Sequence, residues 1–271
     1  MTTGADWQDA VGRNWARSYA LTDRSFAGLT EHLLGRIGAF DGDQLLDVGC
    51  GAGELSLAIA RARHRATVFG VDVSADLIAA ARERAGEHSE VRFELGDAAS
   101  WSAPGFAPDL IVSRHGVMFF GDPPGAFAHL HAISRPEAHL VFSCFRSPRE
   151  NPWASGIAEL LGLPPGDPLA PGPFAFADPQ RVEAILTAGG WAEIDLEPVD
   201  FAWIAGKGEH PVDDALSFVS RIGPAAPALR ALEGEARATA EAKLRAWFEE
   251  HRSGDLVAMA GAAWIVTARR S

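Results

Sequence analysis

The sequence predicts an α/β protein, a seven-stranded doubly wound sheet carrying a mainly helical cap built from N-terminal helices and late insertions. Three observations predict it. Short apolar runs alternate with segments of helical pattern between residues 41 and 145. Each run is almost continuously apolar, as a parallel strand buried on both faces must be. Glycines and aspartates gather where the runs end, the edge at which such sheets bind ligands.

The elements follow in order. Trp7, Val11 and Trp15 share one helical face, and Leu29, Leu33, Leu34 and Ile37 share another, so residues 1–40 read as helices that contribute to the cap. Asp41-Gly-Asp43 turns the chain into Gln44–Val48, a first strand ending in Gly49-Cys-Gly-Ala-Gly53 and opening a helix over Leu55–Ala62. Thr67–Val71 is a second strand ending at Asp72, and Ser74 caps a helix over Ala75–Ala85. Val91–Leu95, Leu110–Ser113 and His139–Phe142 are the third to fifth strands. Residues 41–145 thus form a ligand-binding core. The rhythm breaks at 146–177, rich in Pro and Gly with Trp153, Phe174 and Phe176 embedded, which reads as a cap insertion. Asp178-Pro179 opens a core helix leading to a strand over Ala192–Ile204, within a core segment 178–205. Residues 206–253 read as a helical cap insertion, and 254–271 supply the last core strand, paired antiparallel with the preceding one.

Composition narrows the class of partner. Of 271 residues, 47% are apolar and 22% charged, enough to build a core and too apolar for a disordered chain. The 36 acidic and 24 basic side chains leave a net charge of −12, which argues against a nucleic-acid partner. Cys50 and Cys144 make neither a disulfide framework nor a zinc site. His129 and His131, two apart on a helix, point to different sides, so no metal is expected. Met1–Ala20 has no apolar leader, and Val257–Ala268 falls short of the roughly 20 residues that span a bilayer. The expectation is a cytoplasmic protein without membrane insertion.

The glycine loop excludes some ligands. In a dinucleotide-binding turn a third glycine would stand where Glu54 does, and a carboxylate there repels a pyrophosphate from the helix N-terminus. A ligand with a ribose and a positive charge suits the loop better. Asp72, nineteen residues beyond Gly53, can accept two ribose hydroxyls at once. Asp97, at the end of the third strand, can accept from an exocyclic amine of adenine, while Asp47 and the loop backbone can hold an amino-acid moiety.

At this point the chain resembles the class I S-adenosylmethionine-dependent methyltransferases. The residues that carry the likeness are Leu45-Leu-Asp-Val-Gly-Cys-Gly-Ala-Gly-Glu54, Gly70-Val-Asp-Val-Ser74 and Glu94-Leu-Gly-Asp-Ala98. The resemblance implies a Rossmann-like sheet, with S-adenosylmethionine as cofactor and S-adenosylhomocysteine as product. It implies close approach of the methionine portion at Gly49, Gly51 and Gly53. It also implies the ribose on Asp72, the adenine face on Val73, and the adenine edge at Asp97 and Ala98. Ser113–Phe120, Asn151-Pro-Trp153, Pro171–Phe174 and Trp264–Ala268 look like the ubiquinone/menaquinone C-methyltransferase branch. Pro136-Glu-Ala-His139 departs from that branch, which has a glycine pair before the fifth strand.

Methyl transfer is an in-line displacement in which alignment does most of the work. His115, directly after the fourth strand, is the candidate general base because its ordinary pKa suits neutral pH; the alternative is a histidine that packs on the cofactor. Arg114 either binds a carboxylate of cofactor or acceptor or forms an ion pair within the fold. Trp15, Tyr19, Trp153, Phe174 and Phe176 are the cap aromatics placed to meet an apolar acceptor. Asp122-Pro-Pro-Gly125 reads as a helix start, since Gly125 removes the aromatic that would stack on a flipped base. The chain therefore reads as a methyltransferase acting on carbon or oxygen of a small aromatic or apolar metabolite, with nitrogen open. Its rivals are a non-methylating enzyme that keeps the cofactor and a degenerate binding partner.

Overall fold

Glycine and proline punctuation cuts the chain into elements of the expected order. The computed structural model describes residues 7–86, 90–223 and 225–270; positions 1–6 of the predicted N-terminal helices lie outside them. Two helices, α1 (Ala10–Arg17) and α2 (Tyr19–Ile37), precede β1 (Gln44–Val48). The core continues as α3 (Glu54–Ala62), β2 (Thr67–Asp72), α4 (Ala75–Ala85), β3 (Val91–Leu95), β4 (Leu110–Arg114), α5 (Pro123–Ile133) and β5 (His139–Phe145). Then come α6 (Pro152–Leu160), α7 (Pro179–Ala188), β6 (Trp191–Lys207), α8 (Pro211–Val219), α9 (Ala225–Ala231), α10 (Gly234–Glu250), β7 (Arg252–Ser253) and β8 (Leu256–Arg270). Helix α6 lies inside the Pro/Gly-rich insertion; its start uses Pro152, whose missing N–H is no loss in a first turn.

The sheet runs β3-β2-β1-β4-β5-β8-β6, with β7 on β8. Strands β1 to β5 are parallel, and β8 joins both β5 and β6 antiparallel. The seven main strands are those the sequence predicts, and the two-residue β7 is added to them. The order reverses between β1 and β4, and the crevice at their carboxyl ends is where a doubly wound sheet receives a ligand. Leu45, Leu46, Leu110, Ile111, Val112, Leu140, Val141 and Phe142 are wholly buried, which is why these runs read as continuously apolar. Ser74 and Asp122 cap α4 and α5 by accepting from Leu77 N and Gly125 N, as their positions predict.

A buried amide ties the segment after β5 to β8. Asn151 Oδ1 accepts from Ala262 N and from Trp153 Nε1, each at 2.9 Å, and its Nδ2 donates to Ser147 O and Ala262 O, each at 3.1 Å. The exit of β5, the start of α6 and the middle of β8 therefore meet at a side chain with no exposure. At the other side α1 is pressed onto the start of α4, where a Cβ at Gly12 would stand 2.2 Å from Ser74 Oγ. Among the described residues no helix is long and apolar enough to cross a membrane.

Candidate active site

The loop after β1 turns through three left-handed glycines, Gly49, Gly51 and Gly53, with φ of 66°, 55° and 83°. Gly49 N and Cys50 N donate to Val71 O at 2.9 and 3.1 Å, which fastens the loop to β2. A Cβ on Gly49 would lie 2.8 Å from Gly116 Cα, so glycine faces glycine where β1 and β4 end. Ser113 completes that junction: its Oγ donates to Val48 O at 2.7 Å and accepts from Gly116 N at 3.1 Å. At Gly51, by contrast, a Cβ would enter open space, leaving bare backbone toward the crevice.

The carboxylates line the same edge. Asp72, almost buried, accepts from Gly51 N and Ser74 N, each at 2.9 Å, so each oxygen keeps a further lone pair. Burial raises its pKa. Asp47 accepts from Ser56 Oγ through Oδ2, while its buried Oδ1 has no partner among the described residues. Burial pushes its pKa up to about 6 against the hydrogen bond from Ser56 and the charge of Arg114. An unpaired buried oxygen beside a bare glycine backbone is a demand for a donor, and an ammonium meets it. Asp97 is exposed at the end of β3, with Oδ1 accepting from Ala99 N at 2.9 Å, and Ala98 beside it is buried. These residues fit a ligand with an amino-acid portion, a ribose and a purine.

Arg114 is engaged by partners within the fold. One amino group pairs with Glu54 and donates to Thr30 Oγ1 at 2.8 Å; the other lies 3.5 Å from Asp23 Oδ1. Its assignment as a cofactor-binding residue is therefore corrected to the ion-pair alternative. Glu54, whose charge the loop argument uses, is neutralised by this partner, and burial pushes its pKa up to about 7.

His115 also departs from expectation. The residue takes a left-handed φ of 60° and donates its N–H to Ser143 O at 3.2 Å. Its ring stacks on Phe145 at 3.9 Å between centroids and meets the edge of Phe26 at 5.3 Å. The residue as a whole is half-buried, yet both ring nitrogens are covered and lack partners among the described residues. Burial, helped by the neighbouring Arg114 charge, pushes its pKa down to about 3. A base of ordinary strength is thus not what stands here, because the aromatic surroundings reject the imidazolium.

The cap aromatics divide. Trp153 and Phe174 stack on one another and reach Phe145 at 4.9 and 5.7 Å, beside the exit of β4. Trp203 extends the row from Trp153 at 5.2 Å, and its indole nitrogen is buried without a partner among the described residues. Trp15 packs against Trp7, which in turn meets Phe119 beyond β4. The ring of Tyr19 lies under the guanidinium of Arg84 at 4.4 Å. Phe176 is corrected: it is wholly buried against Phe127 and Phe142, and Phe142 projects from β5 to the face opposite Phe145. It belongs to the core under α5. Sequence reasoning missed Gly116, Asp23, Arg84 and Trp203; for Asp23 the available signal is its place four residues after Tyr19, on one helical face.

Sheet order, left-handed glycine loop and carboxylates at successive strand ends define an enzyme that receives a nucleoside-bearing ligand at its switch point. Residues 45–137 match the family model described as "Methyltransferase domain". The trans-aconitate 2-methyltransferase of Variovorax paradoxus (strain S110) is 30% identical over 213 residues, covering 69% of this chain and 76% of that protein. The malonyl-[acyl-carrier protein] O-methyltransferase of Serratia marcescens is 34% identical over 148 residues, 53% of this chain and 56% of that one. The solved structure of the [4+2]-cyclase SpnF shares the fold, at a TM-score of 0.58 and 20% identity over 99% of this chain and 97% of its own. The chain belongs to the class I S-adenosylmethionine-dependent methyltransferases, and it is an enzyme of their small-molecule type. Its cofactor is S-adenosylmethionine. Among the described residues no cluster of three or more His, Cys, Asp or Glu is placed to hold a metal.

Proposed function

We propose that the protein is an O-methyltransferase for a small acceptor with an apolar body, whose accepting oxygen arrives already ionised as a carboxylate or enolate. The observation that carries this reading is the setting of His115, whose ring lies between Phe26 and Phe145 with both nitrogens covered. The group beside the exit of β4 is held near pKa 3 between Phe26 and Phe145, so it draws little driving force from taking a proton at neutral pH. The acids with raised pKa, Asp47 and Glu54, are engaged on the cofactor side by Ser56 and Arg114. An acceptor that needs no deprotonation matches such a site.

Bound S-adenosylmethionine supplies a methyl group on a positively charged sulfur. In this reading Gly49, Gly51 and Gly53 let its methionine portion approach, and Asp47 Oδ1 accepts from the ammonium. Asp72 holds the ribose, while Val73, Asp97 and Ala98 bound the adenine. Phe145, Trp153 and Phe174 exclude water around the acceptor, and Trp15 and Tyr19 stand on the N-terminal side of the cap. Attack of an anion on a cation destroys charge, and an apolar wall favours charge-destroying steps over the same step in water. Carbon is the acceptor atom of the quinone-related branch resembled by Ser113–Phe120; a carbon acid that arrives protonated requires a stronger base than His115, whereas a carboxylate offers oxygen alone. The names of the relatives support oxygen: both contain a carboxylate-bearing compound, and one specifies O-methylation. The two free thiols, Cys50 and Cys144, suit a reducing cytoplasm.

The test is transfer from methyl-labelled S-adenosylmethionine into aryl and alkyl carboxylic acids, 1,3-dicarbonyl compounds, phenols and amines, read by mass spectrometry. Label in a base-labile ester or an enol ether is the expected product. Label on nitrogen or carbon, or transfer to phenols alone, overturns the reading. S-adenosylhomocysteine binding without label in any product would turn attention to non-methylating chemistry, as the name of the cyclase with this fold illustrates.

A further inference from the structure

Two arginines grip the glycine loop, and both lie beside one carboxylate of α2. Arg84, on α4, donates from Nη1 to Ala52 O at 2.9 Å. Arg114, at the end of β4, pairs with Glu54. The two gripped residues stand two apart in the loop, on either side of Gly53. Asp23, on α2, lies between the arginines: its Oδ2 is 2.9 Å from Arg84 Nη2 and its Oδ1 is 3.5 Å from Arg114 Nη2. The same helix contributes Tyr19 under the Arg84 guanidinium and Thr30 to Arg114. These side chains are 15–22% exposed where they pair, so solvent screens the charges only in part.

The loop needs such a grip. Three left-handed glycines give it more conformational freedom than any other five residues of the core. Its internal fastening is slight: besides its bonds to Val71 O and Asp72, Gly53 N donates to Cys50 O. Fixing the Ala52 carbonyl and the Glu54 carboxylate sets the direction in which the bare backbone at Gly51 faces. A loop ordered beforehand loses less entropy when it receives its ligand. Removing the Asp23 charge takes from Arg84 its carboxylate partner, so the arm on the Ala52 carbonyl loosens, while Glu54, which meets Asp23 as a like charge, keeps Arg114.

We propose that Asp23 is a positioning residue that sets cofactor affinity through Arg84, so that the N-terminal helices tune the glycine loop without touching the cofactor. The test is calorimetric binding of S-adenosylhomocysteine to Asp23→Asn, Arg84→Met and the double variant, with hydrogen exchange of the loop amides in the ligand-free protein. The expected result is about tenfold weaker binding for each single variant and little further loss in the double variant, because one network is removed once. Exchange at residues 51–54 should quicken, and Asp23→Glu should recover most of the affinity. Unchanged affinity in Asp23→Asn overturns the proposal. So do additive losses with unchanged loop exchange, which mark independent structural contacts. If Asp23→Asn does not fold, Arg84→Met removes one arm alone and decides by the same two readouts.

Discussion

Replacing His115 by Asn, a residue that tolerates a left-handed backbone, should make the protein more resistant to mild acid. The wild-type imidazole has a pKa of about 3 in the folded chain against an ordinary value near 6.5. A histidine depressed in this way lends stability above its unfolded pKa and forfeits it as pH falls through the folded one. The loss runs at about 1.4 kcal/mol per pH unit, roughly 3 kcal/mol by about pH 4.5 and between 4 and 5 kcal/mol by about pH 3. Asp47 and Glu54, raised to about 6 and about 7, work in the opposite direction, since protonating them on acidification favours the fold. Both are present in either protein and cancel in the comparison. The assay is urea unfolding of wild type and His115→Asn near pH 8 and near pH 4.5. Any constant effect of the lost stacking on Phe145 appears at both pH values and drops out. The wild-type midpoint should fall by at least about 1 M urea more than that of the variant, given slopes of about 1–3 kcal/mol per molar. Equal pH dependence would mean that the imidazole titrates freely. Such an imidazole would be strong enough to serve as a general base at this position.

Two further outcomes are expected. Asp72→Ala strips the acceptor from Gly51 N and Ser74 N, and should cost about 2–4 kcal/mol of stability together with at least a hundredfold in S-adenosylhomocysteine affinity; calorimetry that finds native affinity would remove Asp72 from the ribose. Trp203→Phe deletes a buried N–H that has no partner among the described residues, and should leave the melting temperature unchanged or raise it slightly, whereas a drop of several degrees would reveal a bonded indole.

How far the sequence is legible differs between the two halves of the site. Strands β1 to β5 announce themselves because each is buried on both faces, and the glycines and Asp72 lie where those strands end. These are local signals. Arg114 shows the opposite situation. Its fate depends on Asp23 and Thr30, which sit on a helix far upstream and approach only after that helix has packed on the sheet. His115 reads as a base from its neighbours in sequence, yet its pKa is set by Phe26 and Phe145, brought in from two other elements. Phe174 and Phe176 look alike two residues apart. Phe174 joins Trp153 and Phe145, whereas Phe176 enters the layer of Phe127 and Phe142 on the opposite face of the sheet. Loop segments lack a periodicity from which that division can be read.

The placement of β8 between β5 and β6 bears on how the chain is made. During synthesis β5 and β6 emerge from the ribosome long before the strand that will separate them. At roughly 5–20 residues per second, the nascent chain spends several seconds with the edge of β5 open and with β6 lacking its neighbour in the sheet. Both edges carry aromatic and aliphatic side chains, the surface on which premature strand pairing and aggregation begin. Pro198 within β6, together with Glu193, Asp195, Asp200 and the bulge between Ala192 and Asp195, interrupts the flat apolar edge that another nascent chain would need. These features act before the enzyme exists as such, guarding a half-built sheet until its keystone strand arrives.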